Sequence, residues 1–172
     1  TDVYALVGGA LTNVSMSNES GTSVKTVRNY YVYAEDIDGD GVLELPSLIS
    51  MRWPGESRSA EEREHLIRWY ALDIQGQAHT KRHTFHSYVG GWYLELEDAW
   101  AERVSVVQAG GTYWFYVWDE SFENAELCFS VHVLSGSDRE EAAAIDNRFV
   151  LHRSEGVIYA ARLETGAAHY QI

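Results

Sequence analysis

The stretch "VSVVQAGGTYWFYVWD", residues 104–119, reads as a strand, a glycine turn and a second strand. Its two halves are rich in β-branched and aromatic residues, and Gly110–Gly111 separates them, the usual signature of a hairpin. Alternation along "TYWFYVW" places Tyr113, Phe115 and Val117 on one face and Trp114, Tyr116 and Trp118 on the other. Two readings of that second face stay open. The strand is buried on both sides, or Trp114, Tyr116 and Trp118 form an open platform that stacks on a sugar or peptide.

Outward from this hairpin the same signals recur. "VYALVGG", "VKTVRNYYVYAED", "LELPSLISMRW", "LIRWYALDI", "AHTKRHTFHSY", "WYLEL", "AELCFSVHVLSG" and "RFVLHRSEGVIYAARLE" are strand patterns, the last two strands meeting at a Ser-Glu-Gly turn. Pro46 lies near the start of its strand, a position that an edge strand tolerates. Helical signals are few. "SDREEAAAIDN" is the clearest, with Ser137 at a capping position and Glu140 at its reciprocal one. Ser59 and Glu62 repeat that spacing in the surface loop "PGESRSAEEREH", and "EDAWAER" suits a turn of helix. About ten strands that follow one another without helical crossovers predict antiparallel pairing in an α+β class. Gly90–Gly91 punctuates the chain, so residues 1–87 are expected to form a β-rich part and residues 88–172 a small α+β sandwich with one or two short helices.

Composition narrows the function. The chain has 172 residues, 45% of them apolar, enough for a core without disulfides. Thirteen basic against 26 acidic residues give a net charge of -13, which opposes binding to nucleic acid and to anionic membranes. No run approaches the ~18 apolar residues of a membrane helix. The single cysteine, Cys128, lies in the apolar run "LCFSVHVL" and reads as a buried, inert thiol. The chain opens "TDVYALVGG", without an initiator methionine, and reads as a piece of a longer protein.

The sharpest chemical signal is "DIDGDGVLEL", residues 36–45. Asp36, Asp38 and Asp40 alternate, so a tightly wound loop aims all three inward, and Gly41 permits the bend. The carbonyl of Val42 adds an oxygen, and Glu44 closes the shell directly or through water. Calcium, which takes six to eight oxygens, suits this set; magnesium, with its stricter octahedron and retained waters, suits it less. An EF-hand fits poorly, with Ser47 at the twelfth position, where that loop needs a bidentate glutamate, and strand patterns on both flanks. The plain alternative is an acidic, solvated β-turn.

The spacing D-x-D-x-D-G-x-x-E between strands resembles the calcium loops of FG-GAP and VCBS repeats, over about residues 28–50. The resemblance implies a propeller-blade-like N-terminal part and structural calcium held by Asp36, Asp38, Asp40, the Val42 carbonyl and Glu44, which stands where the family more often has aspartate. Further on, "GGWYLELEDAWAERVSVV", "YWFYVW", "LCFSVHVLSG" and "VIYAARLE" are similar to C-terminal modules of exported lipoproteins of Gram-positive gut bacteria, loosely Mog1/PsbP-like. That likeness covers about residues 88–165, with Glu97 where the pattern favours proline. It implies an α/β sandwich and no defined activity.

Other residues offer weaker chemistry. His79 and His83 share a strand face roughly 13 Å apart at ~3.3 Å per residue, with His86 opposite, which is no single zinc site. Glu95 and Glu97, and Asp119 and Glu120, are carboxylate pairs without supporting context. No nucleophile elbow or phosphate-binding glycine loop occurs. The expectation is a monomeric, non-enzymatic binding or structural module of an exported, envelope-attached bacterial protein. Its partner would be a cell-surface glycan or protein. The competing expectation is a carbohydrate-active enzyme or carbohydrate-binding accessory domain that uses its aromatics.

Overall fold

The computed structural model describes residues 1–23, 26, 32–52, 65–87 and 90–170. The protein is mostly antiparallel β, with eleven strands and one short α-helix among the described residues. The chain divides into two compact units. One comprises Thr1–Ile49, His65–His86 and Tyr93–Asp98; the other comprises Ser50–Glu64, Ser87–Trp92 and Ala99–Ile172. No helix among the described residues is long and apolar enough to cross a membrane.

The first unit opens with a hairpin of β1 (Tyr4–Val7) and β2 (Ala10–Asn13). Its turn is Gly8–Gly9, at φ of 57° and 86°, left-handed values that glycine adopts without strain. A four-stranded sheet follows in the order β3 (Leu45–Ile49), β4 (His65–Leu72), β5 (Ala78–Ser87), β6 (Trp92–Leu96). Among the described residues β3 is an edge strand with Pro46 as its second residue, so the missing N–H costs no central ladder bond there. Trp69, Phe85, Leu66 and Ile67 are fully buried. Each such side chain contributes roughly 1.5–3 kcal/mol of burial. Val32, Ile67 and Trp69 form a cluster against which Ile37 packs, and the Trp69 indole N–H donates to Thr84 Oγ1 at 2.7 Å.

The second unit carries a five-stranded sheet in the order β10 (Phe149–Ser154), β11 (Val157–Leu163), β9 (Glu126–Ser135), β8 (Thr112–Val117), β7 (Val104–Ala109). The β7–β8 hairpin turns at Gly110–Gly111. Phe115 and Phe129 stack at 4.3 Å in the core, with Trp100 at 6.1 Å from Phe129. The helix α1 (Arg139–Ala144) buries Ala143 against Ile158 and Ala160, with Leu134 alongside. Its N-cap is Asp138 rather than Ser137, and the Asp138 side chain makes no capping hydrogen bond. It stops after six residues because Ile145 turns extended and Asp146 and Asn147 take φ of 57°. Arg148 then donates to the Ala142 carbonyl at 2.7 Å. "EDAWAER" yields a 3-10 turn over Asp98–Trp100. The helix expected around Ser59 and Glu62, and most of the strand expected from "VKTVRNYYVYAED", lie outside the described residues.

Candidate metal site

The loop of Asp36 to Glu44 is closed by one antiparallel bridge. Glu35 and Glu44 exchange both backbone hydrogen bonds, at 3.1 and 2.9 Å. Inside it, alternation sends Ile37 toward the Trp69 cluster and leaves its neighbours Asp36 and Asp38 for the loop interior. Each aspartate folds the backbone around itself. Asp36 accepts from the N–H of Gly39 (2.8 Å) and of Gly41 (3.0 Å). Asp38 accepts from Asp40 N–H at 3.2 Å, and Asp40 from Val42 N–H at 2.8 Å. Gly39 and Gly41 have φ of 76° and 84°, so this winding requires glycine at both positions.

The consequence is convergence. One carboxylate oxygen each from Asp36, Asp38 and Asp40 lies within 4.8 Å of the others. Like charges so close repel, and the arrangement calls for a positive centre. Glu44, the fourth carboxylate expected of the site, does not join that converging group; it is fully buried, 0% exposed, at the loop's closing bridge. Its Oε2 accepts from Ile37 N–H at 3.1 Å, while its Oε1 makes no hydrogen bond. Burial pushes this carboxyl above the usual carboxylate range, Asp38 and Asp40 push it the same way, and the Ile37 N–H pulls it back. Val42 stands in the loop with its side chain exposed.

A positive group does reach the site from β5. Lys81 Nζ lies 2.7 Å from Asp40 Oδ2 and 3.5 Å from Asp38 Oδ2. The hydrogen bond from Lys81 holds the Asp40 carboxyl below its usual range, and Asp40 in turn raises the Lys81 ammonium. Nothing in the run "AHTKRHTFH" marks this lysine as part of the acidic loop. The signal appears only with the strand register, since Trp69 pairs with Arg82 and Tyr70 with Thr80, which makes Lys81 the extra residue of a β-bulge.

The three histidines of β5 go to three different partners. His79 Nε2 meets Asp73 at 2.8 Å, His83 Nδ1 meets Asp98 at 2.8 Å, and His86 Nε2 meets Thr84 Oγ1 at 2.8 Å and stacks on Tyr93. His83 is buried. Glu95 pairs with Arg82, and Asp119 with Arg103 at 3.1 Å, which occupies one member of each carboxylate pair.

On β8 the burial alternates. Tyr113, Phe115 and Val117 are buried, while Trp114 and Tyr116 are half-buried. Trp118, just past the strand, is 5% exposed and packs edge-on against Phe122 at 5.0 Å. A polar network that the sequence does not advertise crosses β9. Ser130 Oγ lies 3.0 Å from His132 Nε2 and donates to Glu164 at 2.8 Å, and Arg162 holds Glu164 with two bonds of 2.8 Å. Ser130 is fully buried, so its hydroxyl serves this network rather than a substrate. Burial, with Arg148 and Arg162, lowers the His132 imidazole. Cys128 is fully buried and pushed up to about 11, which keeps the thiol protonated and unreactive.

No family model, curated protein or solved structure matches this chain.

Proposed function

We propose that this chain is a non-enzymatic binding or structural module of an exported, envelope-attached bacterial lipoprotein, braced by calcium at the acidic loop. On this reading the N-terminal part is propeller-blade-like, and the rest is a small α+β sandwich with α1 against one sheet face. Asp36, Asp38 and Asp40 supply converging oxygens, Glu44 a further one, and Val42 its carbonyl. The observation that carries the reading is the pairing of three converged aspartates with a buried glutamate whose Oε1 makes no hydrogen bond. A hard cation with many oxygen ligands answers both features, and weak extracellular sites work at ~10⁻⁴–10⁻³ M calcium. Tethering the loop would stiffen its junction with the Ile37–Trp69 cluster, a structural role.

The test is thermal unfolding in EDTA and in 5–10 mM calcium. At about tenfold excess over Kd, binding contributes roughly 1.4 kcal/mol, worth about 2–6 °C in Tm for a protein of this size. The double variant Asp38→Asn/Asp40→Asn should abolish the calcium-dependent rise. An unmoved wild-type midpoint, with no heat in calcium titration calorimetry, would sink the proposal.

The half-buried Trp114 and Tyr116 favour a second reading, a carbohydrate-binding accessory domain that stacks a sugar on Trp114. A glycan array with wild type and Trp114→Ala checks it, since specific binding lost in the variant would support it.

A further inference from the structure

We infer that Lys81 is the built-in counter-ion of the acidic loop and that a divalent cation binds there by displacing it, so that Lys81 sets the site's affinity. The inference rests on the calcium reading above. Three observations carry it. The first is the bulge. Strict pairing along β5 would give Lys81 a partner on β4, but it is the extra residue between Arg82, which pairs with Trp69, and Thr80, which pairs with Tyr70. A bulge re-aims the side chain it carries, and this one delivers an ammonium from 41 residues away in sequence onto Asp40.

The second is which oxygens the ammonium takes. It reaches Oδ2 of Asp38 and of Asp40, the two oxygens left over once Oδ1 of each has accepted a backbone N–H. Those belong to two of the three carboxylates that converge within 4.8 Å. An ammonium and a divalent cation cannot both sit against the same pair of oxygens, because their mutual repulsion at that distance opposes joint occupancy.

The third is that the ammonium leaves the site incomplete. Glu44 is fully buried at the loop's closing bridge, and its Oε1 makes no hydrogen bond even with Lys81 in place. A hydrated cation held by the three aspartates can reach that atom through water; the Lys81 ammonium, bonded to Asp38 and Asp40, leaves it without a partner. The exit is open, since the Lys81 side chain is 32% exposed and its four-carbon stem is flexible. Arg82, the adjacent cation, is held by Glu95. The site therefore trades one positive charge for two, and its affinity is the difference between the two occupants.

Calcium titration calorimetry on the full chain tests this, with wild type, Lys81→Met, Lys81→Gln and, as a control for lost charge elsewhere, Arg153→Gln. Lys81→Met should bind calcium five- to thirty-fold more tightly than wild type, and its midpoint in EDTA should fall. Lys81→Gln should follow it, and Arg153→Gln should match wild type. Lys81→Gln carries the test if Lys81→Met does not fold. Binding by the Lys81 variants when wild type shows none overturns the calcium reading of the native chain and this inference with it. Wild-type binding with unchanged or weaker affinity in both variants overturns it and leaves the calcium reading intact. No binding by wild type or by either variant overturns both.

Discussion

Glu44 is where the loop's energetics concentrate. Its carboxyl is buried and raised, so in the window between the ordinary glutamate value and its raised value the folded chain binds a proton that the unfolded chain has released. Without added cation, this group's contribution to stability is therefore present at low pH and lost as pH rises through that window. A bound cation reverses the preference, since it requires the carboxylate, and calcium affinity should fall as pH drops through the same window. Glu44→Gln should raise the midpoint in EDTA at neutral pH and shrink the calcium-dependent rise; midpoints with and without calcium, at pH 5 and 7.5, read both. Gly166 is a second sensitive residue, with ordinary backbone angles but no space. A Cβ there would lie 2.9 Å from Glu126 Cβ and from the Leu127 carbonyl oxygen, and 3.2 Å from Cys128 Sγ. Gly166→Ala should cost about 1–3 kcal/mol through overpacking, measured as a lowered urea midpoint with unchanged slope.

At the scale of elements, the later hairpins were legible because their turns carry a physical requirement. Gly110–Gly111 and Gly156 take positive φ, and apolar runs flank each; the Gly8–Gly9 turn was missed, because "VYALVGG" reads as a single strand. Pro46 announced an edge strand for the same kind of reason, a backbone donor it lacks. The convergence of Asp36, Asp38 and Asp40 was legible because alternation and Gly41 leave the loop little choice. Lys81 was hidden, since a bulge is a property of two strands in register and no single segment encodes it. The burial of Trp118 agrees with the reading of a strand buried on both sides, while Trp114 and Tyr116 stay half-buried. Alternation carries it onto the face of Trp114 and Tyr116, but β8 ends at Val117 and the chain turns Trp118 toward Phe122. The helix stopped early because Asp146 and Asn147 accept a left-handed backbone that most residues resist.

For the whole molecule, a charge of -13 sets the background against which acid acts. Lowering pH relieves that excess, so acidification is not bound to destabilise through net charge alone. Two shielded imidazoles work the other way, His132 buried and His86 half-buried. His86, packed against Tyr93 and bonded to Thr84, is lowered to about 4 by burial, and His132 is lowered by burial beside Arg148 and Arg162. A histidine lowered in the fold binds its proton first in the unfolded chain. Its stabilising contribution is fully present above the ordinary value of 6.5, declines as pH falls toward the folded value, and is gone below it. For His86 that window runs from 6.5 to about 4. Because the ring is only partly shielded, the loss across it is on the order of 1–2 kcal/mol once solvent screening is allowed for. Urea midpoints of wild type between pH 7.5 and 4.5 should therefore fall, and His86→Asn, which cannot take up the proton, should flatten that limb while starting from lower stability at pH 7.5. His132→Asn should flatten it independently. A wild-type midpoint that holds constant or rises toward pH 4.5, with both variants parallel to it, would mean that these two rings accept protons in the folded state and that burial does not govern the acid response.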